Sequence, residues 1–188
     1  LCAKAANPVR RDILDALGID RITTGAVCVY HDMIETAVRA LNGTGIPVAA
    51  VSTGFPAGLS PLRLRIEEIR DSVKAGAEEI DIVISRRHVL TGNWQALYDE
   101  TKAMREACGD AHMKAILATG ELGSLRNVAR ASYVAMMGGA DFIKTSTGKE
   151  SVNATLPVTL VMIRTIRDFH TRTGYRIGYK PAGGISKA

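Results

Sequence analysis

Two lysines lie where a lysine is unexpected, inside short runs of β-branched and aromatic residues. Lys144 interrupts "ADFIKTS" (140–146), and Lys180 interrupts "RIGYKPA" (176–182). A single lysine of this kind can pack its stem against apolar neighbours while its ammonium reaches the rim. Two lysines on neighbouring strands disfavour each other's charge, and with burial they favour a neutral, nucleophilic amine. The pair therefore indicates Schiff-base chemistry.

A carboxylate occupies a third apolar run. Asp81 lies in "EEIDIVI" (78–84), with isoleucine on both sides. It can neutralise one of the two lysines as a buried partner, and it can also move the protons that imine chemistry requires. The two interpretations are compatible, so both remain open from the sequence.

Two glycine-containing segments follow the lysine runs and predict an anion site. The first, "TSTGKE", is not a nucleotide-binding loop, because Ile143 stands at the consensus glycine and Glu150 at the consensus Ser or Thr. A hydroxyl, a small backbone position and a cation past a strand end suit a single phosphate. A glycine pair in the second segment lets backbone N–H groups approach an anion. The candidate ligands are Thr147, Gly148, Lys149, Gly183 and Gly184.

These residues belong to runs that alternate with amphipathic segments. Each segment carries apolar residues three and four positions apart, as in Leu62, Ile66, Ile69 and Val73. Glycine follows several segments, as is common where a helix ends. The predicted strands are 24–30, 46–52, 78–84, 112–118, 140–146 and 176–182, and the predicted helices are 8–17, 32–43, 60–75, 94–107, 124–137 and 156–172.

The alternation predicts an α/β fold. Nearly continuous apolar strands are typical of parallel sheets, and repeated βα units form either a doubly wound sheet or a barrel. No G-x-G-x-x-G follows the first strand, and polar residues lie at strand ends, which favours the barrel. A full barrel takes about 250 residues. We predict one domain over 1–188, a (β/α)8 TIM barrel that lacks its first and last strands and is incomplete at both ends.

Composition narrows the class of protein. The chain is 46% hydrophobic, and none of its apolar runs approaches the length of about 20 residues that a membrane span needs. Its three cysteines are widely spaced, which predicts reduced thiols and a cytoplasmic location. The four histidines are scattered, so we expect no metal site. The net charge of +5 is dispersed, which favours small anions over nucleic acid as partners.

Five segments together resemble the deoxyribose-phosphate aldolase family. They occur in the family's order across nearly the whole chain, and the two that contain lysine are the most specific. The eukaryotic branch is the most similar, on the basis of "VLTGNWQALYDE". The five segments are "GFPAG" (54–58), "EIDIVI" (79–84), "ILATGEL" (116–122), "DFIKTSTGK" (141–149) and "GYKPAGGI" (178–185).

The resemblance implies a class I aldolase that reversibly cleaves 2-deoxy-D-ribose 5-phosphate to acetaldehyde and D-glyceraldehyde 3-phosphate, with no metal or organic cofactor. It implies that Lys144 forms the Schiff base and that Lys180 makes Lys144 easier to deprotonate. Asp81 is then the acid/base group, working with a water molecule. Cys28 matches a family cysteine at the acetaldehyde end of the site, although from the residues alone a packing thiol is the simpler interpretation.

The resemblance also places Gly148, Lys149, Gly183 and Gly184 at the substrate phosphate. The family completes this phosphate site with a further loop, which we expect beyond Ala188. Two alternatives stay open: another class I aldolase for a phosphorylated sugar, and a non-catalytic barrel fragment that binds anions or nucleic acid. The aldolase interpretation involves small-molecule substrates, no nucleic acid and no membrane, and it allows a homo-oligomer.

Overall fold

The computed structural model describes residues 1–185. Strands and helices alternate through most of this range. The strands are β1 (Val27–Val29), β2 (Val48–Val51), β3 (Glu79–Val83), β4 (His112–Ile116), β5 (Phe142–Lys144) and β6 (Gly178–Lys180). The α-helices are α1 (Cys2–Ala6), α2 (Arg11–Leu17), α3 (Ile34–Leu41), α4 (Leu62–Lys74), α5 (Arg86–Leu90), α6 (Trp94–Cys108), α7 (Leu125–Met137) and α8 (Leu156–Thr173). Two 3-10 turns lie at His31–Met33 and Thr119–Glu121.

The six strands form one parallel sheet whose spatial order is the chain order, from β1 to β6. At least one helix lies between each pair of consecutive strands. A doubly wound sheet reverses its strand order part-way, whereas a barrel wall keeps it. The α/β prediction is therefore confirmed. The described residues form six barrel-type strands and not a closed eight-stranded barrel.

The helix-facing side of the sheet is apolar. Ile80, Ile82, Met113, Ala115 and Ile143 are at most 1% exposed and belong to one hydrophobic cluster with the helices. Their two-residue spacing follows from the alternation of side chains across a strand. Burying these large side chains against helices supplies the main driving force for the fold, at roughly 25 cal/mol per Å² of apolar surface.

The other side of the sheet corrects the expectation of nearly continuous apolar strands. That pattern holds for β2, whose four residues are all buried. β3 and β4 instead alternate, so that Asp81 and Lys114 are buried on the side opposite Ile80 and Met113. The sheet thus has one apolar face and one face with buried charges, which is the face that would line a barrel.

Three of the longer helices begin at side-chain caps, whereas α4 follows Pro61 and has none. Asn93, Ser124 and Thr155 each accept a hydrogen bond from the backbone N–H three residues ahead, at the starts of α6, α7 and α8. All six predicted helices are present, and their observed boundaries lie within three residues of the predicted ones. The sequence missed α1 and α5, because five residues are too few to show helical periodicity.

A buried ion pair joins α4 and α6 behind the third strand. Arg65 and Glu100 are each 4% exposed and form a salt bridge. Arg65 also donates to the Val83 carbonyl at 3.3 Å, and Glu100 accepts from the Ser85 N–H at 2.9 Å. Removing either charge alone would leave the other unpaired, which is strongly destabilising. The pair therefore fixes both helices against the carboxyl end of β3.

Among residues 1–185, no helix combines the length and the apolar composition that crossing a bilayer would require.

Candidate active site

The centre of the site is a carboxylate shared by two lysines. Lys144 Nζ lies 2.7 Å from Asp81 Oδ2, and Lys114 Nζ lies 3.1 Å from Asp81 Oδ1. All three side chains are at most 7% exposed. The strands bring these groups together, because Asp81 pairs with Lys114 in register and Lys144 ends β5 beside Ile116. The predicted association of Asp81 with a lysine is present in the structure.

Lys114 was not among the sequence-predicted residues. It also forms a salt bridge with Glu79, which precedes Asp81 by two residues on the same face of β3. Burial acts to lower the pKa of Lys114, but the charge of Asp81 and the hydrogen bond and charge of Glu79 outweigh it and raise that pKa. Lys114 therefore stays a cation at neutral pH and forms an ion pair with one oxygen of Asp81.

Lys180 lies on the next strand from Lys144. The two residues are paired in the parallel register of β5 and β6, as the sequence predicted for neighbouring strands. Lys180 is exposed, and its ammonium has no hydrogen-bond or ion-pair partner among residues 1–185. Three ammonium groups thus face two carboxylates on this side of the sheet. When all five groups are ionised, one positive charge of the cluster has no opposite charge to balance it.

Cys28 lies on β1, which pairs with β2 next to the strand that carries Asp81. The residue is exposed at the open side of the sheet. Desolvation of the thiol, followed by the negative charge of Asp81, raises its pKa, while the charges of Lys144, Lys114 and Lys180 act in the opposite direction. Cys28 is therefore within electrostatic reach of the charged cluster and is held as a neutral thiol.

The two segments predicted to bind phosphate lie side by side. A Cβ atom placed on Gly148 would lie 3.9 Å from Gly183 Cα. Gly148, Gly183 and Gly184 all have positive φ angles, of +86°, +81° and +76°. Glycine adopts this conformation without steric cost, and it leaves backbone N–H groups accessible to an anion. The structure thus brings the predicted glycines together at the carboxyl ends of β5 and β6.

Hydrogen bonds join the same two segments beneath the glycines. Ser146 donates from its hydroxyl to the Ala182 carbonyl at 2.7 Å, and the Ala182 N–H donates to the Thr145 hydroxyl at 3.0 Å. Both hydroxyl residues are fully buried. The hydroxyls directly after Lys144 therefore fix one loop to the other, and they do not face solvent as substrate ligands would.

Thr147 and Lys149 have different surroundings from those of the glycines. The Thr147 hydroxyl donates to Glu150 Oε2 at 2.6 Å and accepts from the Lys149 N–H at 3.1 Å. Lys149 is exposed, and with Thr147 and Glu150 it lines a cleft of about 140 Å³. Across this cleft Arg86 Nε lies 2.7 Å from Glu121 Oε2, a pair that the sequence did not reveal.

A larger cavity, of about 650 Å³, lies elsewhere. It is bounded by the segments 57–62 and 85–88 and by the buried Arg65–Glu100 pair, and it contains none of the predicted site residues. Within residues 1–185 there is also no group of three or more His, Cys, Asp or Glu side chains placed to hold a metal ion.

The chain matches a known protein family along its whole length. A family model described as "DeoC/LacD family aldolase" matches residues 1–188. The chain belongs to this family. This DeoC/LacD chain is 62% identical to the deoxyribose-phosphate aldolase of Mus musculus and 61% identical to that of Homo sapiens, each over 192 residues. The alignments cover 100% of the chain and 60% of each relative, so the chain spans about three fifths of their length.

Solved structures show the same fold. An aldolase named QR15 has a TM-score of 0.72 at 28% identity, with 86% of this chain and 68% of that chain covered. The deoxyribose phosphate aldolase of Aeropyrum pernix has a TM-score of 0.73 at 22% identity, with 98% and 72% covered. The second likeness bears on the fold alone. Together they agree with the barrel-type strand order of this DeoC/LacD chain.

Proposed function

We propose that the protein is a deoxyribose-phosphate aldolase that reversibly cleaves 2-deoxy-D-ribose 5-phosphate to acetaldehyde and D-glyceraldehyde 3-phosphate. The observation that carries the proposal is the contact of 2.7 Å between the buried amine of Lys144 and Asp81. The paired position of Lys180 and the adjacent glycine loops support it, and so does the identity of about 60% to relatives of that name.

In the first step, neutral Lys144 attacks the C1 aldehyde of the open-chain sugar. The carbinolamine takes up a proton, loses water and becomes an iminium ion, which carries the positive charge that the lysine ammonium carried before. Asp81 is within reach of the nitrogen to carry the protons that leave and return in this exchange. Lys114 and Lys180 both disfavour a second nearby cation, so they favour the free amine at Lys144 before the attack.

In the second step, the C2–C3 bond breaks, because the products contain two and three carbon atoms. The bonding electrons move toward the iminium nitrogen and give an enamine, while the C3 hydroxyl loses its proton to a water held by Asp81. D-glyceraldehyde 3-phosphate leaves, the enamine takes a proton at carbon, and hydrolysis of the imine frees acetaldehyde and restores Lys144. These steps use only side chains and water.

The phosphate is assigned to the two loops beside the lysines. Positive φ angles at Gly148, Gly183 and Gly184 leave their backbone N–H groups available to an anion, and Lys149 adds a cation. The ends of β5 and β6 place these loops directly after Lys144 and Lys180. The sugar aldehyde can therefore reach the amine while its phosphate stays in the loops.

We also infer a complete (β/α)8 barrel, a cytoplasmic location and a homo-oligomer for the whole protein. The six strands in barrel order support the first inference. The cysteines Cys2, Cys28 and Cys108 are all free thiols, which supports the second. The relative from Aeropyrum pernix is described as tetrameric, which supports the third.

The test is borohydride trapping with acetaldehyde. Reduction of the imine leaves an ethyl group on the reacting lysine, and peptide mass spectrometry locates it. We expect the adduct on Lys144, its loss in Lys144→Leu and a strong reduction in Lys180→Leu. Lys102→Leu is the matched control, because Lys102 is exposed on α6 and belongs neither to the charged cluster nor to the two glycine loops.

Absence of any adduct in the folded wild-type protein would contradict the proposal. Cleavage of a different phosphorylated sugar at a higher kcat/KM than deoxyribose 5-phosphate would favour the other class I aldolase. Binding of nucleic acid that weakens steeply with added salt, with no adduct, would favour the non-catalytic binder.

A further inference from the structure

A carboxylate lies inside the loop that was expected to bind phosphate. Glu150 accepts the Thr147 N–H with both oxygens, at 3.1 and 3.0 Å, and accepts the Thr147 hydroxyl at 2.6 Å. The sequence identified Glu150 only as the residue that excludes a nucleotide-binding loop. A negative charge at this position repels a phosphate. The carboxylate must therefore have a role other than direct binding of the substrate.

The hydrogen bonds of Thr147 show what the carboxylate does. Its N–H and O–H, the two donors that a phosphate would use, are both directed to Glu150. Its oxygen accepts the Lys149 N–H at 3.1 Å. Thr147 is therefore saturated by the loop itself, and the donors that this turn leaves for an anion are those of Gly148 and of the Lys149 side chain.

A second side chain extends this arrangement to the neighbouring loop. The Asn153 Nδ2 atom donates to the backbone carbonyl of Glu150 at 2.7 Å. A Cβ atom on Gly183 would lie 2.6 Å from Asn153 Cγ, so the two residues are packed in direct contact. One residue further on, the Ala154 N–H donates to the Ala182 carbonyl at 3.2 Å.

We propose that Glu150 and Asn153 form a brace that holds the two phosphate loops in register with each other. They are positioning residues and do not touch the substrate. Glu150 fixes the turn 147–149 through Thr147, and Asn153 fixes that turn against the Gly183 backbone. This inference rests on the proposed function of the loops, and it assigns Thr147 to the brace and not to the phosphate.

The charge of Glu150 has a defined role in the brace. Partial burial acts to raise its pKa, but the hydrogen bonds from Thr147 and from the backbone of Glu150 and Lys149 outweigh that effect and lower it. The carboxylate therefore remains ionised throughout the neutral range. A charged acceptor forms stronger hydrogen bonds than a neutral one, which makes the turn rigid before the substrate arrives.

The kinetic test compares Glu150→Gln, Glu150→Ala and Asn153→Ala with Glu35→Gln. Glu35 is an exposed glutamate on α3 that pairs with Arg39 at 3.7 Å. We expect Glu150→Ala and Asn153→Ala to raise KM for deoxyribose 5-phosphate by about tenfold, with a much smaller change in kcat. Glu150→Gln keeps one acceptor oxygen and should lie between Glu150→Ala and the wild type. The ratio of kcat/KM for the phosphorylated and unphosphorylated sugars should fall in the same order.

The opposite result would overturn the brace. If Glu150 only blocks donors that bind phosphate, then Glu150→Ala and Glu150→Gln lower KM, and Thr147→Val raises it on its own. If kcat falls with KM unchanged, the residue acts on the chemical step and the brace is wrong.

A second readout separates this inference from the proposed function. Amide hydrogen exchange is followed in peptides that cover 145–150 and 181–185. The brace predicts that Asn153→Ala and Glu150→Ala increase exchange in both peptides, whereas a local effect of Glu150 changes the first peptide alone and contradicts it. The outcome does not depend on catalysis. If the wild type forms no acetaldehyde adduct but hydrogen exchange changes as predicted, the proposed aldolase function is refuted and the proposed brace is not.

Discussion

At the scale of single residues, the site is defined by the balance between its ammonium groups and its carboxylates. Lys114, Lys144 and Lys180 supply three ammonium groups, and Glu79 and Asp81 supply two carboxylates. The raised pKa of Lys114 assigns a permanent positive charge to that side chain. Asp81 therefore forms ion pairs with two lysines. It stabilises the ammonium of Lys144 less than a carboxylate with a single partner would.

We predict that Lys114→Met lowers kcat/KM by about ten- to a hundredfold, because it removes a cation that competes with Lys144 for the carboxylate of Asp81. With Lys114 gone, Asp81 interacts with Lys144 alone and favours its protonated form. The pH–rate profile should therefore move toward alkaline pH. An unchanged profile would contradict the assigned role.

Stability must be separated from catalysis in this experiment. Lys114→Met leaves Glu79, whose side chain is 13% exposed, without its partner, and loss of one partner from a buried pair costs up to about 3–5 kcal/mol. The double variant Lys114→Met, Glu79→Gln removes both charges and should recover most of the stability measured by urea unfolding. It should not recover the activity, since Asp81 still has Lys144 as its only close partner.

Some residues of the site could be predicted from the sequence, and others could not. Lys144, Lys180 and Asp81 were predicted because they interrupt apolar runs. Lys114 interrupts "HMKAILA" in the same way and pairs with Asp81 in register, but only the residues that follow this run, 119–121, were considered as candidates. Glu150 had no signal at all, because its hydrogen bonds depend on the path of a loop that spacing does not reveal.

At the scale of elements, the loops after the strands are packed against one another. A Cβ atom on Gly120 would lie against the Val152 carbonyl, so the turn after β4 touches the segment that follows β5. That turn begins at Ala118, whose φ angle of +54° is unusual for a residue with a side chain. Backbone strain of this kind costs about 1–3 kcal/mol and is common near functional sites.

We predict that Gly120→Ala raises KM for deoxyribose 5-phosphate several-fold and destabilises the protein by about 1–3 kcal/mol, as expected for overpacking. The added methyl group pushes on Val152 and hence on the phosphate loop two residues earlier. Gly25→Ala is the matched control, because a Cβ atom there meets nothing within 4 Å. Steady-state kinetics and urea unfolding of the two variants provide the measurement.

Most elements follow directly from periodicity. The helix predicted over 94–107 is Trp94–Cys108 in the structure, and the one predicted over 124–137 is Leu125–Met137. The strands are shorter than the apolar runs that predicted them, as with Phe142–Lys144 inside 140–146. An apolar run marks burial, whereas a strand also needs a hydrogen-bonded neighbour, and only the three-dimensional structure shows where that pairing stops.

At the scale of the whole molecule, stability and reactivity belong to opposite faces of one sheet. The outer face is bound to the helices by a dry apolar core that includes Cys108, which is fully buried. Burial raises the pKa of this thiol to about 12, well above the pKa of an ordinary thiol. The folded protein therefore retains a proton that the unfolded chain releases in alkaline solution.

The sign of the resulting pH dependence follows from linkage. Between the unfolded thiol pKa of about 9 and the folded value of about 12, the unfolded state binds fewer protons, so stability falls as pH rises. One proton corresponds to about 1.4 kcal/mol per pH unit. We predict that the free energy of unfolding of the wild type falls more steeply between pH 9 and pH 11 than that of Cys108→Ala. Equal slopes in urea titrations of the two proteins would contradict this.

The alternation of the two sheet faces also restricts how the protein can change. Ile143 and Lys144 are consecutive, one in the apolar core and the other beside Asp81. A slip of β5 by one residue would exchange them, placing an ammonium group in the core and an isoleucine at the reaction centre. Insertions and deletions within the strands should therefore be eliminated by loss of folding and loss of activity at once. Insertions and deletions can therefore accumulate only outside the strands. We expect the strand register to change least among the features that the site depends on.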